Sequence, residues 1–253
     1  AEDGIRDSVA SRGLGDVYKR QLLDSNEALF NGAGDGSKHL LIIAFESADH
    51  DKSHSLKRAL EIVEEYEGIF EEPKELKDAH RSGSSGSWRS SFIRAPYLRE
   101  SFTRRGIIQD TFETAITWDK SHKFIENIKE ETAKAILEIT GKPSLVTCRI
   151  THSYPDGLAP YFTFGAFSTP QSMIEIWKEI KLATNEICIN NQGTVTHHHA
   201  VGRDHRPKGY DDQRPDLFNK VLVAAKSSLD PKGIMNPGVL IDPEGKNISN
   251  WMA

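Results

Sequence analysis

Apolar and polar residues alternate along two neighbouring stretches of the chain, 145–151 and 159–167, and this period of two predicts β-strands. A turn with the sequence Tyr-Pro-Asp-Gly at 154–157 separates the stretches, so the two strands are predicted to form a hairpin. In the second strand Tyr161 falls on the more polar face, opposite to Phe162. Taken alone, Tyr161 is more simply an ordinary strand tyrosine than a functional group.

The other periodic stretches predict two further strands and four helices. Strands are predicted at the continuous apolar run 38–46 and at 107–117. Apolar residues spaced three or four apart predict helices at 53–67, 118–140, 170–190 and 215–229. Hairpin strands separated by long helices are typical of an α+β fold, and we predict an antiparallel sheet covered by helices mainly on one face.

Two segments between these elements have a distinctive composition. The serine- and glycine-rich segment 82–87 is predicted to be a flexible loop. The arginine-rich stretch 88–106 is predicted to form two short helices, or one helix kinked at Pro96. Its arginines form either a solvated helix face or a clamp for a carboxylate or phosphate.

The first twenty residues show no sustained periodicity and resemble the translation of a cloning or sequencing junction. We therefore predict a non-native or disordered leader at 1–21, a folded domain at 22–242 and a tail at 243–253. On this interpretation the natural chain begins near Gln21 and lacks its N-terminal part.

Three consecutive histidines, His197, His198 and His199, lie in the glycine-bounded segment 193–202. The β-branched residues 194–196 before them predict a short strand. Imidazoles at a strand end can transfer protons near neutral pH, and an exposed polar loop is an equally good interpretation of the residues alone. On a strand at most His197 and His199 would share a face, so we predict no metal site from this run. A metal-binding module without enzymatic activity is the weaker alternative.

Composition excludes several classes of function. The formal net charge is −5 and no long basic run is present, so nucleic acid is not an expected partner. The two cysteines, Cys148 and Cys188, match no metal-ligand spacing and suggest buried thiols in a reducing compartment. No apolar run reaches the length of a membrane span.

Several separated stretches together carry a family resemblance. They are Ala95-Pro-Tyr-Leu-Arg99, Asp110-Thr-Phe-Glu-Thr-Ala115, Trp118-Asp119, Thr147-Cys-Arg149, Tyr161-Phe-Thr-Phe164, Thr196-His-His-His-Ala-Val-Gly202 and Leu229-Asp-Pro-Lys-Gly-Ile-Met-Asn-Pro-Gly238. The chain resembles the C-terminal half of alkyldihydroxyacetonephosphate synthases, flavoenzymes of ether-lipid synthesis. More broadly it resembles the ferredoxin-like α+β cap domain of FAD-linked oxidases of the vanillyl-alcohol-oxidase type. The resemblance covers roughly residues 22–242.

The resemblance implies an FAD-dependent transferase that exchanges the acyl group of acyl-dihydroxyacetone phosphate for a fatty alcohol. Its catalytic residues would be Tyr161, His197, His198 and His199. Arg99 would bind the departing acid, and His199 and Asn236 would contact the flavin. Such enzymes carry an FAD-binding domain before the cap, and without that domain we expect this chain to be inactive. A homodimer, a peripheral membrane contact and a cytoplasmic location are compatible with the resemblance.

The alternative enzyme is an FAD-linked D-2-hydroxyacid dehydrogenase acting on D-lactate or glycolate. That family has a histidine on the hairpin and a glutamate in the later turn, where some members bind a metal. Here the hairpin turn 155–160 lacks histidine, and His198 stands where the glutamate would be. The loss of both ligands favours the synthase-like interpretation. The chain departs from the synthase pattern at two places. Ala200 replaces the glycine expected after the histidines, and the ending is Asn236-Pro-Gly238. Both departures bear on the exact substrate.

Overall fold

A computed structural model of the chain describes residues 16–47, 50–73 and 83–242. The predicted tail and residues 1–15 of the predicted leader lie outside the described residues. The chain folds into two units, one up to Arg94 and one from Ala95 onwards. None of the helices in the described ranges is long and apolar enough to cross a bilayer.

The first unit is built on an antiparallel pair of strands, β1 (Asp16–Leu23) and β2 (Leu40–Ser47). Helix α1 (Ser25–Phe30) lies between them in sequence, and the Asp24 side chain caps its N-terminus by accepting a hydrogen bond from the Glu27 amide. Helix α2 (Ser53–Glu65) follows β2. The strand predicted at 38–46 and the helix predicted at 53–67 are thus confirmed.

Two predictions about this unit differ from the structure. Residues 16–21, assigned to the leader, form part of β1, so disorder is wrong for them, whereas the non-native origin of the leader stays a prediction. The segment from residue 83 to 87, predicted to be a flexible loop, begins helix α3 (Gly83–Thr103), which continues through Pro96. Trp88 explains the second difference, since it is 5% exposed in a small core and its indole donates a hydrogen bond to Gln21. Burial of a large aromatic side chain outweighs the weak helix propensity of glycine and serine.

The second unit contains an antiparallel sheet of strands β3 (Ile107–Glu113), β4 (Ile116–Thr117), β5 (Val146–Ser153) and β6 (Gly157–Phe167). Strand β6 lies between β5 and β3, and β4 pairs with its beginning. The helices are α4 (Ser121–Thr140), α5 (Met173–Asn190), α6 (Asp211–Gln213) and α7 (Asp216–Leu229). A short 3₁₀ turn at Trp118–Lys120 precedes α4.

The core of this unit lies between one face of the sheet and helices α4 and α5. Phe112 and Phe162 stack with ring centroids 5.0 Å apart, and Ile128 and Ile180 cover them from the two helices. The opposite face of the sheet carries the polar residues of the alternating pattern. The predicted hairpin, the predicted helices at 118–140 and 170–190 and the α+β class with an antiparallel sheet covered by helices are confirmed.

Candidate active site

The polar face of the sheet presents three side chains in a row across three strands. Tyr161 on β6 is paired with Glu113 on β3 and with Arg149 on β5. The Arg149 guanidinium lies 3.8 Å from the centroid of the Tyr161 ring, close enough for a cation–π contact. The Tyr161 hydroxyl lies 2.9 Å from the hydroxyl of Thr111, the next residue of β3 on the same face. Tyr161 therefore points away from the apolar core, as the alternation predicts, and its ring is fixed from two sides.

Glu113 is the residue around which the histidine loop, residues 193–202, is folded. Its side chain is fully buried, and Oε1 accepts hydrogen bonds from the backbone amides of His197, His198 and His199 at 2.6–2.8 Å. The Thr196 hydroxyl donates to the same oxygen at 2.6 Å. Successive amides that converge on one anion form a concave binding site of the kind that proteins use for phosphates.

The second oxygen of Glu113 faces imidazole nitrogens. Oε2 lies 3.0 Å from Nδ1 of His198 and 3.7 Å from Nδ1 of His197. It has no hydrogen bond of good geometry among the described residues, so these contacts are electrostatic. Burial raises the pKa of Glu113, but the contact with His198 and the hydrogen bonds from Thr196 and the loop amides outweigh it and lower the pKa to about 2. Glu113 is therefore a buried anion at neutral pH.

The first residues of the histidine loop are hydrogen-bonded to Thr114 and Ala115, which connect β3 to β4. The Thr194 hydroxyl accepts a hydrogen bond from the Ala115 amide, and its carbonyl accepts one from the Thr114 hydroxyl. Gly193 is required here because a Cβ would lie 2.5 Å from the Phe124 ring. The strand predicted at 194–196 is wrong: these residues form an irregular loop, because side chains and isolated amides rather than a neighbouring strand satisfy the backbone.

Two of the three imidazoles, those of His198 and His199, lie beside the Tyr161 ring. The ring of His199 meets it edge-on with centroids 5.2 Å apart, and the His198 ring lies 6.0 Å away at a shallow angle. Burial lowers the pKa of His199, which favours a neutral ring that can accept a proton. The structure thus brings Tyr161 and the histidine run together in one polar cluster. Their catalytic roles stay predictions.

A second group of rings extends the cluster along β5. His152 lies with its ring centroid 5.1 Å from that of His197 and 4.8 Å from that of His198. The Tyr154 hydroxyl lies 3.0 Å from Nε2 of His197. A cavity of about 390 Å³ opens beside Tyr154 and His197, with Lys120 on its wall.

The structure places Arg99 apart from this cluster. Arg99 lies on α3, and its Nη2 is 3.4 Å from Oδ1 of Asp110. The Asp110 carboxylate also accepts a hydrogen bond from the Trp177 indole of α5, so it belongs to the helix-covered side of β3. None of the contacts described for residues 83–242 joins Arg99 to Tyr161 or to the histidines. We expected Arg99, Tyr161 and the histidines to converge on one site. The structure brings Tyr161 and the histidines together, and Arg99 does not join them.

Asn236 lies in the C-terminal segment, exposed and with a left-handed backbone (φ +47°). Arg203 and Arg206 hold this segment by donating to the carbonyls of Pro237 and Gly238. The Leu240 amide donates to the carbonyl of Gly202, which joins the segment to the end of the histidine loop. In the described part of the chain no hydrogen bond links Asn236 itself to the histidines, so its contact with a flavin stays a prediction.

Sequence reasoning missed three members of the cluster, namely Glu113, Arg149 and His152. For Glu113 a signal was present, because the period of two places it on the same face as Thr111. Its partners, however, lie 83 to 86 positions away along the chain. Arg149 lies beside Tyr161 because of the register between β5 and β6. Alternation within one strand does not predict that register.

Comparisons with known proteins agree with this architecture. The chain is 29% identical over 157 residues to an alkyldihydroxyacetonephosphate synthase of Trypanosoma brucei brucei, covering 61% of this chain and 25% of the relative. It is 33% identical over 150 residues to the protein of the same name from Caenorhabditis elegans, covering 58% of this chain and 25% of the relative. The chain thus matches about a quarter of the length of these relatives.

A solved structure of an alkyldihydroxyacetonephosphate synthase has the same fold. It superposes with a TM-score of 0.58 at 16% identity, covering 93% of this chain and 41% of the solved chain. A family model described as "FAD linked oxidases, C-terminal domain" matches residues 15–240. Since this match spans nearly the whole sequence, the chain belongs to the family of FAD-linked oxidase C-terminal domains.

Proposed function

We propose that the enzyme containing this chain is an FAD-dependent alkyldihydroxyacetonephosphate synthase, which exchanges the acyl group of acyl-dihydroxyacetone phosphate for a fatty alcohol. The observation that carries the proposal is the contact of Tyr161 with His198 and His199 beside the buried anion Glu113. The named relatives support the same activity.

The polar cluster fits a flavin ring. Tyr161 and His199 are half-buried and His198 is exposed, so the face they form is open to a planar group that accepts and donates hydrogen bonds. Bound there, the flavin would supply an electron sink next to the reacting carbon. Tyr161, His198 and His199 are the residues that would contact it. Asn236 is a further candidate on the basis of the family resemblance.

The exchange requires a proton to leave C1 of the substrate, the bond between C1 and the carboxylate oxygen to break, the alcohol to add with loss of its own proton, and a proton to return to C1. One fatty acid leaves for each alcohol that enters, and no net oxidation occurs. Tyr161 and His199 would carry these protons, a role supported by the contact of Tyr161 with Thr111 and by the burial that lowers the pKa of His199.

The departing carboxylate requires a cation. Arg99 is the candidate from the family resemblance, and a guanidinium binds a carboxylate through two parallel hydrogen bonds. Arg99 is paired with Asp110 and lies apart from Tyr161, so this role rests on the family resemblance and requires Arg99 to leave Asp110.

The location and assembly of the enzyme are part of the proposal. A cytoplasmic enzyme with a peripheral membrane contact fits substrates that carry long apolar chains. An FAD-binding domain and a second copy of the chain complete the proposed partners.

The test is release of labelled fatty acid by the full-length enzyme, dependent on FAD and on added fatty alcohol. Tyr161→Phe keeps the ring and removes the hydroxyl, and we expect turnover to fall by about 10²-fold or more. Tyr97→Phe, at an exposed position of α3, is the matched control and should be neutral. Flavin reduction by D-lactate or glycolate is measured in parallel. Rapid reduction without alcohol exchange would identify a hydroxyacid dehydrogenase and refute the proposal.

A further inference from the structure

Three histidines from two parts of the chain place their ring nitrogens together. One ligand atom from each of His152, His197 and His198 lies within 4.8 Å of those of the other two. His152 comes from strand β5, whereas the other two come from the histidine loop. The expectation of no metal site rested on a strand, in which neighbouring histidines face opposite sides. Because residues 197–199 fold as a loop around Glu113, that reasoning no longer applies.

The spacing of two of these nitrogens suits a metal ion. Nδ1 of His197 and Nδ1 of His198 are 3.3 Å apart, a distance at which one ring donates a hydrogen bond to the other. Two nitrogens bound tetrahedrally to zinc at about 2.0–2.1 Å lie roughly 3.3–3.4 Å from each other. The pair therefore already has the separation of two ligands of one ion, and only the ring of His152 would have to move closer.

The charge around the cluster also favours a cation. Oε2 of Glu113 lies 3.0 and 3.7 Å from the same two Nδ1 atoms, and its side chain is fully buried. A buried negative charge this close to two imidazole nitrogens attracts a cation to the same place. Oε1 is already engaged by the loop, so Oε2 is the oxygen directed toward such an ion.

Neighbouring polar groups fix the rings in the required orientation. The Tyr154 hydroxyl contacts Nε2 of His197, which directs Nδ1 of the same ring toward Glu113. The Thr151 hydroxyl lies 3.0 Å from Nδ1 of His152. Hydrogen bonds to the non-ligating nitrogen are the usual support of metal-bound histidines.

We propose that His152, His197 and His198, beside the carboxylate of Glu113, form a binding site for a divalent transition-metal ion of the zinc type. Three imidazoles suit Zn²⁺, Co²⁺, Ni²⁺ and Cu²⁺ and are a poor set for Mg²⁺ or Ca²⁺. The proposal concerns binding alone and does not rest on the proposed transferase activity.

The first experiment titrates Co²⁺ into the metal-stripped chain, prepared without an added histidine tag. We expect one ion per chain, an absorption spectrum typical of four-coordinate cobalt, and displacement by Zn²⁺ but not by Mg²⁺. His152→Gln should weaken binding by at least about ten-fold, since it removes the ligand that the loop cannot supply. His122→Gln, next to Glu126 on the exposed face of α4, is the matched control and should bind normally.

A second measurement needs no substitution and guards against misfolded variants. The imidazole NMR signals of the unmodified chain are followed as Zn²⁺ is added, and those of His152, His197 and His198 should change together. Absence of saturable binding, or full affinity in a folded His152→Gln variant, would overturn the proposal. So would a response confined to His122, since that would identify an adventitious surface ion.

Discussion

Replacing Glu113 by glutamine should destabilise the protein and loosen the histidine loop. Glutamine keeps the length of the side chain and one acceptor oxygen, so it removes the negative charge with little change in volume. In the native protein that oxygen accepts three backbone hydrogen bonds and one from Thr196. A hydrogen bond to a charged group contributes about 1.5–3 kcal/mol and a neutral one about 0.5–1.5 kcal/mol.

A hydrogen bond to the neutral glutamine oxygen is therefore weaker by about 1 kcal/mol than one to the charged carboxylate, and four such bonds are affected if the loop does not relax. Because His198 lies at the surface, water can satisfy part of what is lost, and we expect the free energy of unfolding to fall by about 2–3 kcal/mol. Glu113→Ala removes the acceptor altogether and should cost more, about 4 kcal/mol. Replacement of a surface carboxylate, Glu126→Gln, is the control, since its side chain is 62% exposed and its loss should be nearly neutral.

The measurement has two parts. Urea unfolding gives the change in stability, and amide hydrogen exchange reports on residues 197–199 directly. In the native protein these amides should be protected, and in Glu113→Gln their exchange should be faster by a larger factor than elsewhere in the second unit. Equal stability of Glu113→Gln and the parent, with unchanged protection of these amides, would show that the carboxylate does not hold the loop.

Three further outcomes follow from the structure. Gly193→Ala should lower the free energy of unfolding by about 1–3 kcal/mol, because the new methyl group meets packed atoms, whereas Gly165→Ala, which meets nothing within 4 Å, should not. Cys188 is buried, and burial raises the pKa of its thiol to about 12, so neither it nor the buried Cys148 should react with a thiol reagent at pH 8 until the protein unfolds, and rapid native labelling would contradict their placement. Burial lowers the pKa of His205 from 6.5 to about 4. The unfolded chain therefore binds this proton more readily, and stability should fall by up to about 3 kcal/mol as the pH drops from 6.5 to 4, a fall that His205→Gln should reduce.

Local patterns predicted those parts of the fold in which one element carries its own signal. The hairpin of β5 and β6 and the helices α4 and α5 have a clear period of two or of 3.6. The same reasoning placed Tyr161 on the polar face, because the face of a side chain depends only on its position within its own strand. Local patterns failed where a distant contact decides the conformation.

The histidine loop shows this failure most clearly. Its β-branched residues favour a strand, but Glu113, more than 80 positions earlier, offers a buried anion that three successive amides can bind. A strand directs successive amides to opposite sides, so the two arrangements exclude each other. Helix α3 is a second case, since burial of Trp88 stabilises a helix over a segment that composition alone assigns to a loop.

Glu113 binds the main chain of residues 197–199, and any amino acid except proline supplies an amide at these positions. The conformation of the loop is therefore encoded separately from the side chains that it displays. Substitutions at 197–199 can change the chemistry of the cluster while the scaffold persists. A library randomised at these three positions, with Glu113, Thr196 and Gly193 retained, should consequently yield mostly folded proteins and offers a route to new activities on the same sheet.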